Sequence, residues 1–510
     1  MLDQGIGSWP KRRARMSPHR TALVEHDRAT TYAGLEHRAN ELANGLRARG
    51  VTRGDRVAYL GLNSTELVVA MFAVAKLGAV FLPMNTRLTP PELGFMLKDS
   101  AARILLRDRG FEDATSSGDL DGVPLEVIDF QSGDDGAFAA LVNGASGAEL
   151  DEPIGHDDLF MIQYTSGTTG RPKGVMLTHG NITWNVLNLV VDVDIRADEV
   201  SLVTAPLFHT AALNQILLPT LLKGGTAIIE RKFDPDRVLD LVESHQVTLL
   251  FGVASMYMAI ADAPRWAEAD LSSIRTTLSG GAPLPEALLR TWLTRGLPVL
   301  QGYGLTEASP GVTMLRAESA VSKLGSAGTA CFFTDVRVVR ADLEDAPVGE
   351  PGEVLVSGPH VTPGYWQNPG ATREAFVGEG WLRTGDLAVV DDDGFVTIVD
   401  RVKDMFISGG ENVYPAEVEQ AIHSHPAVAE CAVIGVDDAR WGEVGRAVVV
   451  VRAGEQLDES TLLDHLRARL AGYKVPKSVL FVDDLPHNAT GKLLKPKVRD
   501  LYAAPTKEGE

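Results

Sequence analysis

The sequence predicts an α/β protein in two parts: a large unit of two doubly wound αβ layers carrying a small β-barrel-like module, then a small α+β unit. Three observations predict it. From residue 20 to about residue 300, short β-branched or aliphatic runs alternate with amphipathic helical stretches, the pattern of βαβ units. This alternation comes in two series, separated by a Gly/Asp/Ser-rich stretch at 111–150 and a Gly/Thr-rich loop at 164–175. Beyond Gly325, strands punctuated by Gly and Asp replace it, and after Asp400 a last mixed unit begins.

In the first series, 55–60 reads as a strand, 64–77 as a helix with Ser64 as N-cap, 80–82 as a strand, 90–98 as a helix and 104–106 as a strand. Residues 111–150 are a weakly specified surface stretch. A helix begins near Asn181, and the second series places strands at 200–203, 226–229, 248–251, 276–278 and 299–300 between helices at 212–222, 235–244, 255–261 and 285–294. Strands at 335–339, 353–357, 387–390 and 395–399 make the β module. The last unit holds a helix at 415–423, strands at 431–436 and 447–451, a helix at 459–470 and a strand at 479–482. The expected division is 1–399 and 400–510, with its boundary at Asp400-Arg401-Val402-Lys403. Two such layers leave a cleft between them, and ligands bind outside the carboxyl ends of such strands.

Composition sets outer limits. A chain of 510 residues is too long for one compact core, and 45% apolar with 23% charged residues is ordinary for a globular protein. The net charge of −20 argues against a general nucleic-acid binder, which needs a basic face. Cys331 and Cys431 make no disulfide framework and read as two buried thiols in a reducing compartment. No apolar run follows the basic cluster at 11–15, and none reaches membrane-spanning length, so neither a secretory signal nor a span is expected and the cytoplasm is the default.

The chemistry gathers first in Tyr164-Thr165-Ser166-Gly167-Thr168-Thr169-Gly170-Arg171-Pro172-Lys173-Gly174-Val175. Glycines let backbone N–H groups approach an anion closely, the hydroxyls add donors, and Arg171 and Lys173 add positive charge. A polyphosphate needs such a loop. Lys173 is followed by Gly174 rather than Ser or Thr, so the loop is no Walker A sequence, and ATP held here would lack the geometry for transfer of its terminal phosphate. A Gly/Thr surface loop is the bland alternative.

The twelve-residue loop resembles the signature of the AMP-forming adenylating superfamily, and five further segments follow in the order and spacing of its acyl-CoA synthetases. The resemblance implies a role for each. In Gln301-Gly302-Tyr303-Gly304-Leu305-Thr306-Glu307, Tyr303 packs on adenine, Thr306 touches phosphate and Glu307 binds Mg²⁺ together with Thr165. Gly280-Gly281-Ala282-Pro283 lines the adenine and acyl pockets; Asp386 accepts the ribose hydroxyls and Arg401 contacts the ribose. Lys403 is the hinge of a mobile C-terminal domain, Ser408, Gly409 and Gly410 border the coenzyme A arm, and Lys492 is the adenylation lysine. His209, counted with the catalytic residues, also lines an acid pocket with Asn214, Phe251, Gly280, Gly302, Ser309, Pro310 and Gly311.

The implied reaction joins a carboxylic acid to CoA through an acyl-AMP, with ATP, Mg²⁺ and CoA required. Texture and the start at Gln4-Gly5-Ile6-Gly7-Ser8-Trp9-Pro10 resemble feruloyl-CoA synthetases and related 4-coumarate and fatty-acyl CoA ligases, so a hydroxycinnamate such as ferulate is the expected acid and a medium- or long-chain fatty acid the alternative. Ala254 departs from the proline common in close relatives, which touches pocket detail only. An amino-acid-activating domain would carry an acidic residue where Phe208-His209 stand. A luciferase-like oxygenase and a silent ligand sensor are further alternatives, the latter disfavoured by intact Glu307, Asp386 and Lys492. A homodimer is left open.

Overall fold

The computed structural model of the chain describes residues 3–115, 124–132, 138–142, 145–150, 152–165, 172–401, 404–408, 411–438, 441–487 and 493–503. Two sheets dominate. In the larger, six strands run parallel in the order Val299–Gly304, Thr276–Ser279, Leu249–Gly252, Val200–Val203, Thr226–Ile229, Thr21–Glu25. Antiparallel strands extend it at both edges, Gly311–Met314 and Thr329–Ala330 on one side and Arg28–Thr31 on the other. The smaller sheet orders Glu126–Phe130, Ile104–Asp108, Arg56–Leu60, Val80–Met84, Leu159–Thr165 and the antiparallel Lys173–Thr178.

Helix Thr65–Lys76 explains why the two sheets stay together. Ser64 caps it, its side chain accepting from the Leu67 N–H, and every one of its residues is buried. A helix buried along its whole length has no solvent side, so it must be covered on both faces. Its side chains join one cluster with Val57 and Phe81 of the smaller sheet and Leu23 and Ala227 of the larger. Each large aliphatic side chain buried there contributes about 2 kcal/mol. Helix His179–Asp192 enters through a capping box formed by Thr178 and Asn181 and adds Ile182, Val186 and Leu189 to the same core.

After residue 330 an antiparallel sheet follows, built from Asp335–Val339, Gly352–Ser357, Phe376–Val377, Trp381–Val390 and Val396–Arg401. The last sheet contains Phe406–Ser408, Glu411–Val413, Val428–Asp438, Gly442–Val451 and Ser478–Phe481, with helices Pro415–His423 and Glu459–Arg467 packed through Val418, Ile422, Leu462 and Leu466.

Several elements differ from the sequence expectation. Residues 126–130, expected in a weakly specified stretch, form a strand because Ile104–Asp108 offers a parallel partner. The helix expected at 212–222 starts at Thr210 and passes through a π-helical turn at Leu213–Leu217 before Leu218–Lys223. The strand expected at 299–300 continues to Gly304, pairing with Gly311–Met314. Likewise Thr384-Gly385-Asp386 lies inside the long strand Trp381–Val390, held by neighbours on both sides.

Candidate active site

The loop that opens the chemistry is the tip of a hairpin. Strands Leu159–Thr165 and Lys173–Thr178 pair antiparallel, with Thr165 opposite Lys173, so both ends of the loop are anchored in the smaller sheet. Ser166, Gly167, Thr168, Thr169, Gly170 and Arg171 lie outside the described residues. Thr165 Oγ1 is 3.5 Å from the Lys173 carbonyl, and Lys173 Nζ sits 5.2 Å from the centroid of the Tyr365 ring. Tyr365 donates in turn to Glu307 Oε1 at 2.8 Å, which brings Glu307 of the turn Thr306–Ala308 to the mouth of the hairpin.

A second cluster forms where two sheets meet. Asp386 and Arg401 are register partners on adjacent strands, and Arg401 Nε lies 3.2 Å from Asp386 Oδ1. Tyr303, at the end of the larger sheet, donates its hydroxyl to Asp386 Oδ2 at 2.7 Å. Burial, with the Asp386 charge beside it, pushes the Tyr303 phenol well above its ordinary pKa, so it remains a donor. A carboxylate has about four acceptor positions. Two are occupied here, and the remaining capacity suits a vicinal diol.

Gln301 acts on the backbone instead: its Oε1 accepts from the Leu284 N–H at 2.8 Å and its Nε2 donates to the Ser326 carbonyl at 3.4 Å. The side chain thereby staples the loop holding Gly280, Gly281 and Ala282 to the end of its own strand. Gly281 has φ +90, a conformation that side-chain-bearing residues rarely adopt. A Cβ on Gly280 would approach the Gly302 carbonyl to 3.3 Å, so glycine keeps that carbonyl open.

The wall assigned to the acid is neutral. His209 sits beside Phe208, ring centroids 4.7 Å apart, and burial pushes its pKa down to about 4 with the Arg87 charge adding to the effect. Its imidazole is therefore uncharged at neutral pH. Asn214, in the π-helical turn, donates to the Ser309 carbonyl at 3.1 Å, and Gln163 donates to the Phe208 carbonyl. Among the described residues His209 Nε2, Asn214 Oδ1, Gln163 Oε1 and Ser279 Oγ are buried with no hydrogen-bond partner. Phe251 is buried at the end of its strand, and a Cβ on Gly302 would meet Met314 Cε at 3.0 Å. Ser309 takes a positive φ of 71, held by its hydroxyl donating to the His360 carbonyl at 2.8 Å, which turns the chain into Pro310 and Gly311.

Three groups of residues that tie the segments of this region together were not singled out from sequence. Asn181, Asn185 and Asn188 form a stripe along helix His179–Asp192. Asn181 donates to the carbonyls of Pro359 and Val361, Asn185 accepts from the Gly311 N–H at 2.9 Å, and Asn188 accepts from the Phe333 N–H at 2.7 Å. Their helical spacing on an otherwise apolar face was the available signal. Gln163 and Tyr365 gave none, since each acts on a partner distant in sequence. Of the remaining assigned residues, Ser408 is buried in strand Phe406–Ser408, while Lys403, Gly409, Gly410 and Lys492 lie outside the described residues.

A hairpin anchored by Thr165 and Lys173, a carboxylate with spare acceptor positions and a cluster of neutral polar groups fit the class of enzymes that handle a nucleotide. The family model for AMP-binding enzymes matches residues 10–366, and that for the AMP-binding enzyme C-terminal domain matches residues 417–492. The chain belongs to the AMP-binding enzyme family, as an AMP-forming acyl-CoA ligase. It is 53% identical over 505 residues to feruloyl-CoA synthases of Amycolatopsis sp and Streptomyces sp, covering 98% of this chain and 100% of theirs. It is 40% identical over 512 residues to the long-chain-fatty-acid–CoA ligase FadD13 of Mycobacterium tuberculosis, covering 98% and 99%. Among solved structures, the o-succinylbenzoate CoA synthetase of Bacillus subtilis in complex with its acyl-adenylate superposes with TM-score 0.88 at 35% identity, covering 98% of this chain and 99% of that one. ATP-bound MatB of Rhodopseudomonas palustris superposes with TM-score 0.90 at 36% identity and the same coverage.

Proposed function

We propose that this ligase activates a hydroxycinnamate such as ferulate and transfers the acyl group to CoA. In the first half-reaction the carboxylate oxygen attacks the α-phosphorus of ATP, and the bond to the β-phosphate oxygen breaks to release pyrophosphate. In the second, the CoA thiolate attacks the acyl carbonyl and AMP leaves. The protein supplies alignment and charge rather than a covalent nucleophile.

The residue roles follow the same reading. The hairpin loop from Thr165 to Lys173 receives the phosphates, Asp386 takes the ribose hydroxyls with Arg401 beside it, and Tyr303 packs on the base. Glu307 and Thr165 would hold a magnesium ion, which would neutralise phosphate charge. The fit rests on Glu307 having one oxygen committed to Tyr365 and a second oxygen to offer. Lys492 bridges the carboxylate and the α-phosphate, Ser408, Gly409 and Gly410 border the CoA arm, and residues 400–510 rotate as a domain about Lys403 between the two steps. No helix among the described residues is long and apolar enough to cross a membrane, and Cys331 and Cys431 are free and buried, which supports the cytoplasm as its place.

One observation carries the choice of acid: Asn214, His209, Gln163 and Ser279, which this reading places in one wall with Phe251, Gly280 and Gly302, carry buried neutral polar atoms without a partner among the described residues. A hydroxylated planar ring brings donors to such a wall, and an aliphatic chain brings none. The relationship to FadD13 keeps a long-chain fatty acid as the second reading. The test is kcat/KM for ferulate, 4-coumarate, octanoate and palmitate under one set of conditions. Both phenylpropenoids should lead by at least about ten-fold, the discrimination expected where a site hydrogen-bonds its substrate. An advantage for either aliphatic acid refutes the hydroxycinnamate assignment and leaves the ligase chemistry intact.

A further inference from the structure

Tyr365 occupies a place that no part of the scheme above uses. Its phenol donates to Glu307 Oε1 at 2.8 Å, while the Lys173 ammonium lies over its ring, 5.2 Å from the centroid. One side chain thus touches the carboxylate assigned to the cation and the ammonium assigned to the phosphates. Nothing links Lys173 to Glu307 in sequence.

The tyrosine is itself held from several directions. Trp366 N–H donates to the Gly174 carbonyl at 2.7 Å and Met176 N–H to the Gly364 carbonyl at 3.0 Å, which sews the segment onto the strand that begins with Lys173. The Tyr365 N–H donates to Thr372 Oγ1 at 3.0 Å. Gly364 has φ +140, and a Cβ there would meet Thr372 Cγ2 at 2.5 Å, so only glycine lets this approach occur. Upstream, the Thr362 N–H donates to the Glu307 carbonyl at 2.7 Å, and the Thr362 hydroxyl lies 2.5 Å from the Met176 carbonyl. Segment 362–366 therefore fastens the Glu307 backbone and the phosphate hairpin to one another, with Tyr365 in the middle.

We propose that Tyr365 is a positioning residue for adenylation, whose hydroxyl fixes the Glu307 carboxylate and whose ring seats the Lys173 ammonium at a set separation across one aromatic plane. A phenol donating to one carboxylate oxygen orients the group and directs the other oxygen elsewhere. A cation over the ring face is attracted by the ring quadrupole, so the ammonium has a preferred seat while its N–H donors stay available for an anion. The inference rests on reading Glu307 as the cation-binding carboxylate.

The test uses the full-length enzyme and three variants, Tyr365→Phe, Tyr365→Leu and Glu307→Gln. Binding of Mn²⁺ is followed by electron paramagnetic resonance in the presence of a non-hydrolysable ATP analogue. Analogue binding without metal, melting temperature and thioester formation from supplied acyl-AMP are measured alongside. Tyr365→Phe keeps the ring and loses the hydroxyl, so Mn²⁺ affinity should fall about ten-fold, the scale of one hydrogen bond to a charged group. Metal-free analogue binding and the second half-reaction should stay at the wild-type level. Tyr365→Leu should also weaken the metal-free analogue, because the seat of Lys173 is gone. Wild-type Mn²⁺ affinity in Tyr365→Phe, with a clear loss in Glu307→Gln, overturns the tyrosine's role alone. Unchanged affinity in Glu307→Gln removes the reading of Glu307 and the inference with it. Equal losses in every readout, together with a lowered melting temperature, would reduce Tyr365 to a structural residue.

Discussion

The two sides of the active site are finished to different degrees. On the nucleotide side every charged group described has company: Asp386 holds Tyr303 and Arg401, Glu307 holds Tyr365, and Lys173 faces the Tyr365 ring. On the acid side His209 Nε2, Asn214 Oδ1, Gln163 Oε1 and Ser279 Oγ are buried and unpartnered. The difference follows from cost. A buried charge without a partner costs several kcal/mol, whereas a neutral acceptor left waiting costs about 1–3 kcal/mol. A protein can keep neutral atoms in reserve for a ligand and must pair its charges in advance. Under the proposed roles, a nucleotide would exchange or share partners with its side, and an acid would supply missing ones to the other.

Asp386→Asn should break the first half of this comparison most severely. It leaves the shape intact, removes the charge that Arg401 and Tyr303 share, and takes away acceptor capacity for the ribose. The KM for ATP should rise by ten-fold or more, on the scale of about 2 kcal/mol for hydrogen bonds to a charged group, with the acid's KM at saturating ATP little altered. A rise in the acid's KM as large as that for ATP would show that the two sides are not separable.

Asn214→Leu sharpens the second half. It removes an unpartnered acceptor together with the donor that holds the Ser309 carbonyl. Under the hydroxycinnamate reading, kcat/KM for ferulate should fall by about 1–3 kcal/mol more than that for octanoate. Equal losses for both acids would assign Asn214 to holding Ser309 and to nothing else.

A third effect is one of pH. Burial pushes His209 and His360 each down to about 4. The unfolded chain, with ordinary imidazoles, takes up protons first as the pH falls, so stability is full above pH 6.5 and is lost between 6.5 and 4. Each histidine contributes up to about 1.4 kcal/mol per pH unit to that slope. Denaturant unfolding at pH 7.5, 5.5 and 4.5 should show the decline, and His209→Gln should flatten it. A slope unchanged in the variant would mean that His209 is already open to protons in the folded state.

Much of this molecule was readable one segment at a time. The helix at 415–423 matches the structure end to end, the helix beginning after Ser64 has the expected cap, and five strands of the larger sheet lie within two residues of their expected starts. Caps and alternating hydrophobicity are local signals, so local reading finds them. Several of the misses share one cause. Gly302 and Gly304 sit in a strand beyond its expected end, where a Cβ on Gly304 would lie 1.9 Å from the Pro310 carbonyl oxygen. Their reason is a neighbour reached only after the chain folds back. Strand Thr21–Glu25 joins the larger sheet beside Thr226–Ile229, a partner some two hundred residues away.

By itself, then, the sequence determined the α/β class and the ordered motifs with the ligase chemistry they imply, because residue type and spacing within a segment carry phosphate affinity, capping and periodicity. Tertiary structure alone decided which of those residues meet. Asp386 opposite Arg401 with Tyr303 between sheets, Tyr365 joining Lys173 to Glu307, and the asparagine stripe tying one helix to three loops each depend on packing between distant segments. Such contacts are selected by shape, burial and the cost of leaving buried charges unpaired, conditions that exist only once distant segments have packed together.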